Sequence, residues 1–358
     1  MVQHFINRKE ELTFLNEKYR QSDAQLIVIY GRRRVGKTQL LLEFAKNKEN
    51  IYYLSEKTTI KRNIDKLKND MAEFLDPSFK KIETDDFEEL FAEFVKWKDL
   101  KKNKEKIVLI IDEFSYLIEL SSGVTSVFQK IWDLILKDRE DIYLVLCGSS
   151  IGLMKNEVLG RNSPLYGRRT GQWKVNDIEI SHIRKFLPKY SFEDILRTCG
   201  IVGGVPFYLN KWDCGLTVEE NIKKEFITKG GFFLEEAKNL LREDFREPRN
   251  YMLILSAISE GKNKFGEIAN YAGLDKSALS RYLEILQTLD IVTFEIPLFS
   301  SLKEKKRHYL IKDNYFNFWF RFIYNNIPKI EANREKEVMH WIKTQFNSYF
   351  GFIFEEMS

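Results

Sequence analysis

Gly31-Arg32-Arg33-Arg34-Val35-Gly36-Lys37-Thr38 stands between two unlike patterns, an apolar run from Ala24 to Tyr30 and a helical repeat from Gln39 to Lys46. Strand, glycine turn and helix follow in that order. The turn fulfils the spacing G-x-x-x-x-G-K-S/T, which has a physical reason: a wrapped backbone with few Cβ atoms can aim several N–H groups at one phosphate. The helix that opens there adds the positive end of its dipole. Lys37 is expected to reach the β and γ phosphates and the Thr38 hydroxyl to coordinate Mg2+, with Gln39 closing the nucleotide-binding stretch.

Working outward, a second apolar run, Ile107 to Ile111, ends in Asp112-Glu113, and a third, Ile142 to Leu146, ends in Gly148-Ser149-Ser150. Continuous apolar runs suit strands covered on both faces, as in a parallel sheet. The helical stretches 63–74, 87–98 and 124–136 then supply the crossovers of an α/β fold. A carboxylate at a strand end can hold a hydrated cation while its neighbour orients or deprotonates water, so Asp112 is assigned to metal and Glu113 to the attacking water. A hydroxyl at Ser149 or Ser150 can sense the γ-phosphate; a plain turn accounts for the pair equally well.

Asn210-Lys211-Trp212-Asp213 spells N-K-x-D, a guanine-reading pattern, but it follows Gly203-Gly204-Val205-Pro206, which reads as the start of a helix and not as a buried strand. Ser115 also occupies the place of the glycine in D-x-x-G. ATP is therefore expected over GTP. The 358 residues call for at least two cores. Their 57 Lys+Arg against 53 Asp+Glu, a net +4, neither prove nor exclude a polyanion partner. Three widely spaced cysteines, Cys147, Cys199 and Cys214, argue against a disulfide framework, and a reducing cytosol fits best. The early charged residues leave no room for a signal-peptide core, and the apolar runs are strand length, so membrane insertion is not expected. The four histidines are scattered without a metal-ligand spacing.

Beyond Asp177 the segments Ser191 to Thr198 and Val218 to Phe226 read as a small helical lid. Three apolar-periodic helices follow, Tyr251 to Ser259, Phe265 to Tyr271 and Lys276 to Leu289. The strand pair 291–297 and 307–311 completes a winged helix-turn-helix. Asp275 is the expected N-cap of the third helix. Its outward face, Lys276, Ser277, Ser280 and Arg281, would meet double-stranded DNA, with the basic stretch Lys303 to Arg307 as wing. Glu284 shares that face, and an intramolecular or protein-contact role for the module stays open. The aromatic run Tyr315 to Phe322 reads as a buried strut. The expected organisation is an ATPase α/β domain at 1–176, a lid at 177–245, the winged helix at 246–313 and a helical, aromatic extension at 314–358.

These motifs resemble the archaeal-type ATPase family of the AAA+/STAND branch of P-loop NTPases. The resemblance runs from Phe5-Ile-Asn-Arg-Lys-Glu-Glu-Leu12 through the glycine turn and Ile110-Ile-Asp-Glu-Phe114. It continues in Leu146-Cys-Gly-Ser-Ser150, Pro164-Leu-Tyr-Gly-Arg-Arg-Thr170 and Gly203-Gly-Val-Pro206. It implies that Arg8 lies beside the adenine site, that Gly204 to Pro206 mark the lid helix over the base, and that Arg168 or Arg169 reaches the γ-phosphate, within the chain or from a neighbour. Asp313 to Phe322 is similar to the segment that precedes a restriction-nuclease-like extension in some members. Its D…E-x-K carboxylates are not reached before Ser358, in a chain either shortened or never needing cleavage, and nuclease activity is not predicted. The function implied is a Mg2+-dependent, slowly hydrolysing ATP switch coupled to the winged helix. The alternatives are an ATP-regulated DNA-binding protein and a nucleotide-driven module for a protein partner or self-association.

Overall fold

The computed structural model describes residues 5–100, 105–296 and 307–357. The chain divides between Asn176 and Asp177 into two compact units. In the first, α1 (Lys9–Arg20), β1 (Gln25–Tyr30), α2 (Lys37–Ala45), β2 (Asn50–Leu54), α3 (Ile60–Phe74) and α4 (Phe87–Leu100) are followed by β3 (Ile107–Asp112), α5 (Phe114–Leu120), α6 (Val124–Ile131), β4 (Ile142–Gly148) and β5 (Gly171–Lys174). The five strands form one parallel sheet in the order β2-β3-β4-β1-β5. Every residue of β1, β3 and β4 is buried, as their unbroken apolar runs require in a sheet covered on both faces.

Strand alternation sorts the sheet into two faces. Ile27, Ile29, Val108, Ile110, Val145 and Cys147 lie on the face that α1 and α2 cover with Leu15, Leu40, Leu41 and Phe44. On α6, Phe128 gathers Phe87, Phe91 and Phe114 at ring-centroid separations of 5.6, 5.9 and 4.9 Å. The expected single helix 124–136 is α-helical only to Ile131; Trp132–Leu136 is a π turn, closed by Lys137 N–H donating to the Trp132 carbonyl. Two edge strands, β2 and β5, and helix α1 have no counterpart among the apolar runs. β5 is covered instead by α1, where Phe14 meets Trp173 at 5.1 Å.

In the second unit, α7 (Phe192–Val202), α8 (Pro206–Lys211), α9 (Val218–Ile222) and α10 (Phe232–Asp244) precede α11 (Arg249–Ser259), α12 (Phe265–Ala272) and α13 (Lys276–Thr288). Strands β6 (Val292–Glu295) and β7 (His308–Ile311) pair antiparallel, Val292 opposite Ile311 and Glu295 opposite His308, which completes a helix-turn-helix with its hairpin. The wing segment 303–306 lies outside the described residues. One apolar cluster runs from Ile178 to Ile353 through all these elements. The aromatic strut begins in α14 (Asn314–Phe318), where Tyr315 donates to the Phe233 carbonyl at 3.0 Å; just beyond it Trp319 donates to that of Leu234 at 2.9 Å. A last helix, α15 (Glu335–Met357), ends the described chain. No helix of the described residues is long and apolar enough to cross a membrane.

Candidate functional site

The glycine turn leaves β1 and enters α2, so its geometry follows from where those two elements sit. A Cβ at Gly31 would lie 2.3 Å from the Val175 carbonyl oxygen, a contact only glycine avoids. Gly36 takes φ +92°, the left-handed region that glycine enters without strain. Lys37 is 6 % exposed and its Nζ donates to the carbonyls of Gly31 and Arg32 at 2.9 and 3.0 Å. Burial pushes its ammonium pKa down, against the opposing pull of Cys147, Glu113 and Asp112. Val35 is fully buried, Arg32, Arg33 and Arg34 are half-buried, and Gln39 is exposed.

Asp112 ends β3 on the face that α2 covers, and it is fully buried. Its Oδ2 accepts from Thr38 Oγ1 at 2.7 Å and from the Tyr52 phenol at 2.9 Å, and its Oδ1 accepts from the Glu113 N–H at 2.8 Å. Glu113 leaves the strand at φ +53°, ψ +41°. Its Oε2 accepts from Ser149 Oγ at 2.6 Å and from Ser115 Oγ at 3.4 Å. β4 separates β3 from β1 in the sheet, which is why the serine at the end of β4 meets the carboxylate at the end of β3. Of the two serines left open, Ser149 is the one brought to Glu113; Ser150 precedes the short helix at Ile151 without a side-chain capping bond.

Arg8, 5 % exposed and at φ +75°, donates to the Val35 carbonyl at 2.7 Å and pairs with Glu11 at 2.9 Å. It is thus tied to the glycine turn itself. Arg33 donates to the Tyr116 hydroxyl on α5 at 3.2 Å. Tyr52, Ser115 and Tyr116 carry no motif, whereas Glu11 belongs to the stretch Phe5 to Leu12 that carries the resemblance. Only β2 read as a strand beside β3 could have singled out Tyr52.

The two arginines expected at the γ-phosphate require a correction for the within-chain case. Both precede β5, whose partner register begins at Gly171 opposite Ile27, and Thr170 N–H donates to the Leu26 carbonyl. The glycine turn starts five residues after Leu26, on the order of 15 Å along the strand, beyond the reach of an arginine side chain. Arg168 is moreover bidentate to Asp133, in the π turn, at 2.8–3.0 Å and donates to the Pro164 carbonyl at 2.8 Å. That guanidinium is the main reason the Asp133 carboxyl sits below its ordinary value. Arg169 lies over the Tyr166 ring at 5.4 Å, and its buried Nη1 makes no hydrogen bond among the described residues.

In the second unit, Gly204 allows a backbone crossing in which a Cβ would come within 2.2 Å of the Ile178 carbonyl oxygen, and Pro206 opens α8. Asn210 and Lys211 end that helix, and Asp213 accepts from the Gly215 N–H in a turn, so the N-K-x-D stretch has none of the strand-end placement a base reader needs. On α13 the Asp275 carboxylate caps the N–H groups of Ser277 and Ala278, both at 2.9 Å. Lys276, Ser277, Ser280 and Arg281 are all exposed, with Glu284 beside them, while Leu279, Leu283 and Leu286 are buried.

A parallel sheet with a glycine turn after its first strand and an acidic strand end two strands away is the P-loop ATPase fold, here followed by a helix-turn-helix. A family model described as an ATPase domain predominantly from Archaea matches residues 5–212, and the chain belongs to that family. A model described as the arsR family of bacterial regulatory proteins matches 252–293, and one for archaeal and bacterial proteins of unknown function matches 319–358. An uncharacterized protein of Methanocaldococcus jannaschii is 37% identical over 354 residues, 99% of this chain and 76% of the relative. Among solved structures, a Walker-type ATPase of Pyrococcus abyssi aligns with TM-score 0.64 at 21% identity, over 88% of this chain and 96% of that one. The ORC2 protein of Aeropyrum pernix aligns with TM-score 0.57 at 12% identity, over 93% and 97%. At such identities the likeness is one of fold.

Proposed function

We propose that the chain binds ATP with Mg2+, hydrolyses it slowly, and converts the bound nucleotide state into movement of its helix-turn-helix unit in the cytosol. The observation that supports this most is the convergence of Thr38, from the glycine turn, on the buried Asp112 carboxylate, with Glu113 alongside. The donor set fits the cation: a hydroxyl that spends its proton on Asp112 keeps its lone pairs, and hydroxyl and carboxylate oxygens are the hard ligands Mg2+ takes. Thr38 and Asp112 would hold it, and bound there it would offset charge on the triphosphate.

The chain's own residues do the rest. Lys37, whose ammonium now rests on the loop's carbonyls, exchanges those bonds for phosphate oxygens, and the amides of the turn cradle the same group. Arg8 braces the turn through the Val35 carbonyl. Glu113 takes the proton of the attacking water, with Ser149 and Ser115 fixing which way its carboxylate faces. Gly204 and Pro206 belong to the lid that follows the nucleotide, and an arginine for the γ-phosphate, Arg169 before Arg168, is supplied by a neighbouring copy. The test pairs two variants: Lys37→Ala abolishes nucleotide binding in calorimetry, whereas Glu113→Gln keeps binding and lowers turnover about 100-fold or more. Equal ATPase rates for wild type and Glu113→Gln refute the division of labour.

A second reading, an ATP-regulated double-stranded DNA binder, is favoured by the exposed Lys276, Ser277, Ser280 and Arg281 at the start of a capped helix in a segment similar to arsR-family regulators. Binding that is undetectable at low ionic strength, or insensitive to salt, removes it. The module then serves a protein partner or self-association, and a chain monomeric in every nucleotide state leaves only the former.

A further inference from the structure

Asp112 has one side-chain partner that no motif announces. Tyr52 belongs to β2, where it stands opposite Ile110 of β3, two residues before the pair Leu54–Asp112. Alternation therefore sets Tyr52, Ile110 and Asp112 on the same face, the one α2 covers with Thr38. Its hydroxyl donates to Oδ2 of Asp112 at 2.9 Å, the oxygen that also takes the Thr38 proton at 2.7 Å, while the Glu113 amide holds Oδ1 at 2.8 Å. Three donors from β2, α2 and the start of α5 thus fix both oxygens of a fully buried carboxylate.

We infer that Tyr52 is a positioning residue for the cation site: by holding Oδ2 it fixes the rotation of the Asp112 carboxylate and, through it, the direction in which the Thr38 hydroxyl presents its lone pairs. The inference rests on the proposed Mg2+-dependent nucleotide site. Outer partners that orient a metal's ligands govern affinity for the metal without touching it. A carboxylate held by two donors in place of three retains its place but samples more rotations, and each rotation misdirects Thr38. Tyr52 itself touches neither nucleotide nor cation in this role.

The experiment is calorimetry with ADP in excess chelator and with ADP plus Mg2+, on wild type, Tyr52→Phe, Asp112→Asn and the double variant. Tyr52→Phe is expected to leave the metal-free ADP affinity within about twofold and to shrink the Mg2+-dependent gain about tenfold. In ATPase assays it raises the half-saturating Mg2+ concentration by a similar factor and leaves kcat at saturating Mg2+ within about twofold. In the Asp112→Asn background the same substitution changes nothing further. Should the phenylalanine variant lose its cooperative unfolding transition, Tyr52→Met carries the same comparison. Wild-type Mg2+ dependence in the variant overturns the inference, as does an equal loss of affinity with and without the metal, which marks a merely structural role. A wild type that binds ADP with no gain from Mg2+ overturns the cation site itself, a result separable from either.

Discussion

The glycine turn with its carboxylates and the exposed face of α13 are both polar constellations, yet they are held in opposite ways. Lys37, Thr38, Asp112, Glu113 and Ser149 are each tied to at least one other named group, and three of them are buried to 6 % exposure or less. Lys276, Ser277, Ser280 and Arg281 share a helix face and stand in solvent, on a helix whose start the Asp275 carboxylate caps. A buried polar group must find partners on folding or cost the fold stability, so its geometry records its chemistry. An exposed one carries charge and direction alone. The first site accordingly specifies a ligand class, and the second only a sign.

The largest effect is expected from spoiling the turn without touching a polar side chain. In Gly31→Ala the new methyl meets the Val175 carbonyl at 2.3 Å, so the backbone must shift and its amides lose their common aim. Nucleotide affinity is expected to fall about 100-fold or more, as for the loss of several preorganised donors at once, with calorimetry as the measurement. A variant that binds as wild type would show that the turn tolerates the shift and that its ties do not govern binding.

The exposed face responds differently. Lys276→Ala plus Arg281→Ala removes two charges and no buried bond, so thermal stability should stay within about 0.5 kcal/mol. If the face neutralises DNA phosphates, the slope of log affinity against log salt drops by about 2. Titrations at three ionic strengths by fluorescence anisotropy decide it, and an unchanged slope assigns this face to a protein contact. Glu284, on the same face, then becomes a partner-facing charge and not a repulsive one.

Much of the first site was legible because its signals are local. Two glycines and a lysine at fixed spacing, and a carboxylate pair at the end of a five-residue apolar run, need no knowledge of the sheet. What escaped depends on the sheet's order. β2, Asn50-Ile-Tyr-Tyr-Leu54, is an edge strand with exposed ends and therefore shows no continuous apolar run, and β5 is an edge strand of four residues. Without β2 there is no reason to set Tyr52 beside Asp112. Without the register of β5 nothing tells which end of the sheet Arg168 and Arg169 occupy. The third helix of the second unit, by contrast, was readable down to its cap, because capping and apolar periodicity are themselves local.

Arg168 is partly exposed and paired with Asp133 away from the phosphate turn, so Arg168→Ala should cost below about 1 kcal/mol in unfolding free energy. Turnover measured at dilution, where chains do not meet, should remain within about twofold of wild type, far from the ~1,000-fold loss that follows removal of an arginine contacting the transferred phosphoryl. A large loss at dilution would reinstate the within-chain role. A loss appearing only at high protein concentration would place the arginine in a neighbour's site.

The smallest effect tests the premise that burial demands ties. Asp70 on α3 is half-buried, and burial, then the nearby Glu73, raise its pKa from 3.8 to about 6, with Lys66 only partly offsetting them. A carboxyl raised on folding binds its proton more tightly in the native state than in the unfolded chain, so this group's contribution to stability declines as pH rises from about 4 to about 6 and its full penalty is present above that. Asp70→Asn keeps the shape and removes the charge. Its melting temperature should exceed that of wild type at pH 7.5 and match it at about pH 2.5, where the carboxyl is protonated in the folded and the unfolded chain alike. An equal gain at both pH values would trace the effect to packing, and a loss at pH 7.5 would mean that the Asp70 charge has found a partner strong enough to outweigh its burial.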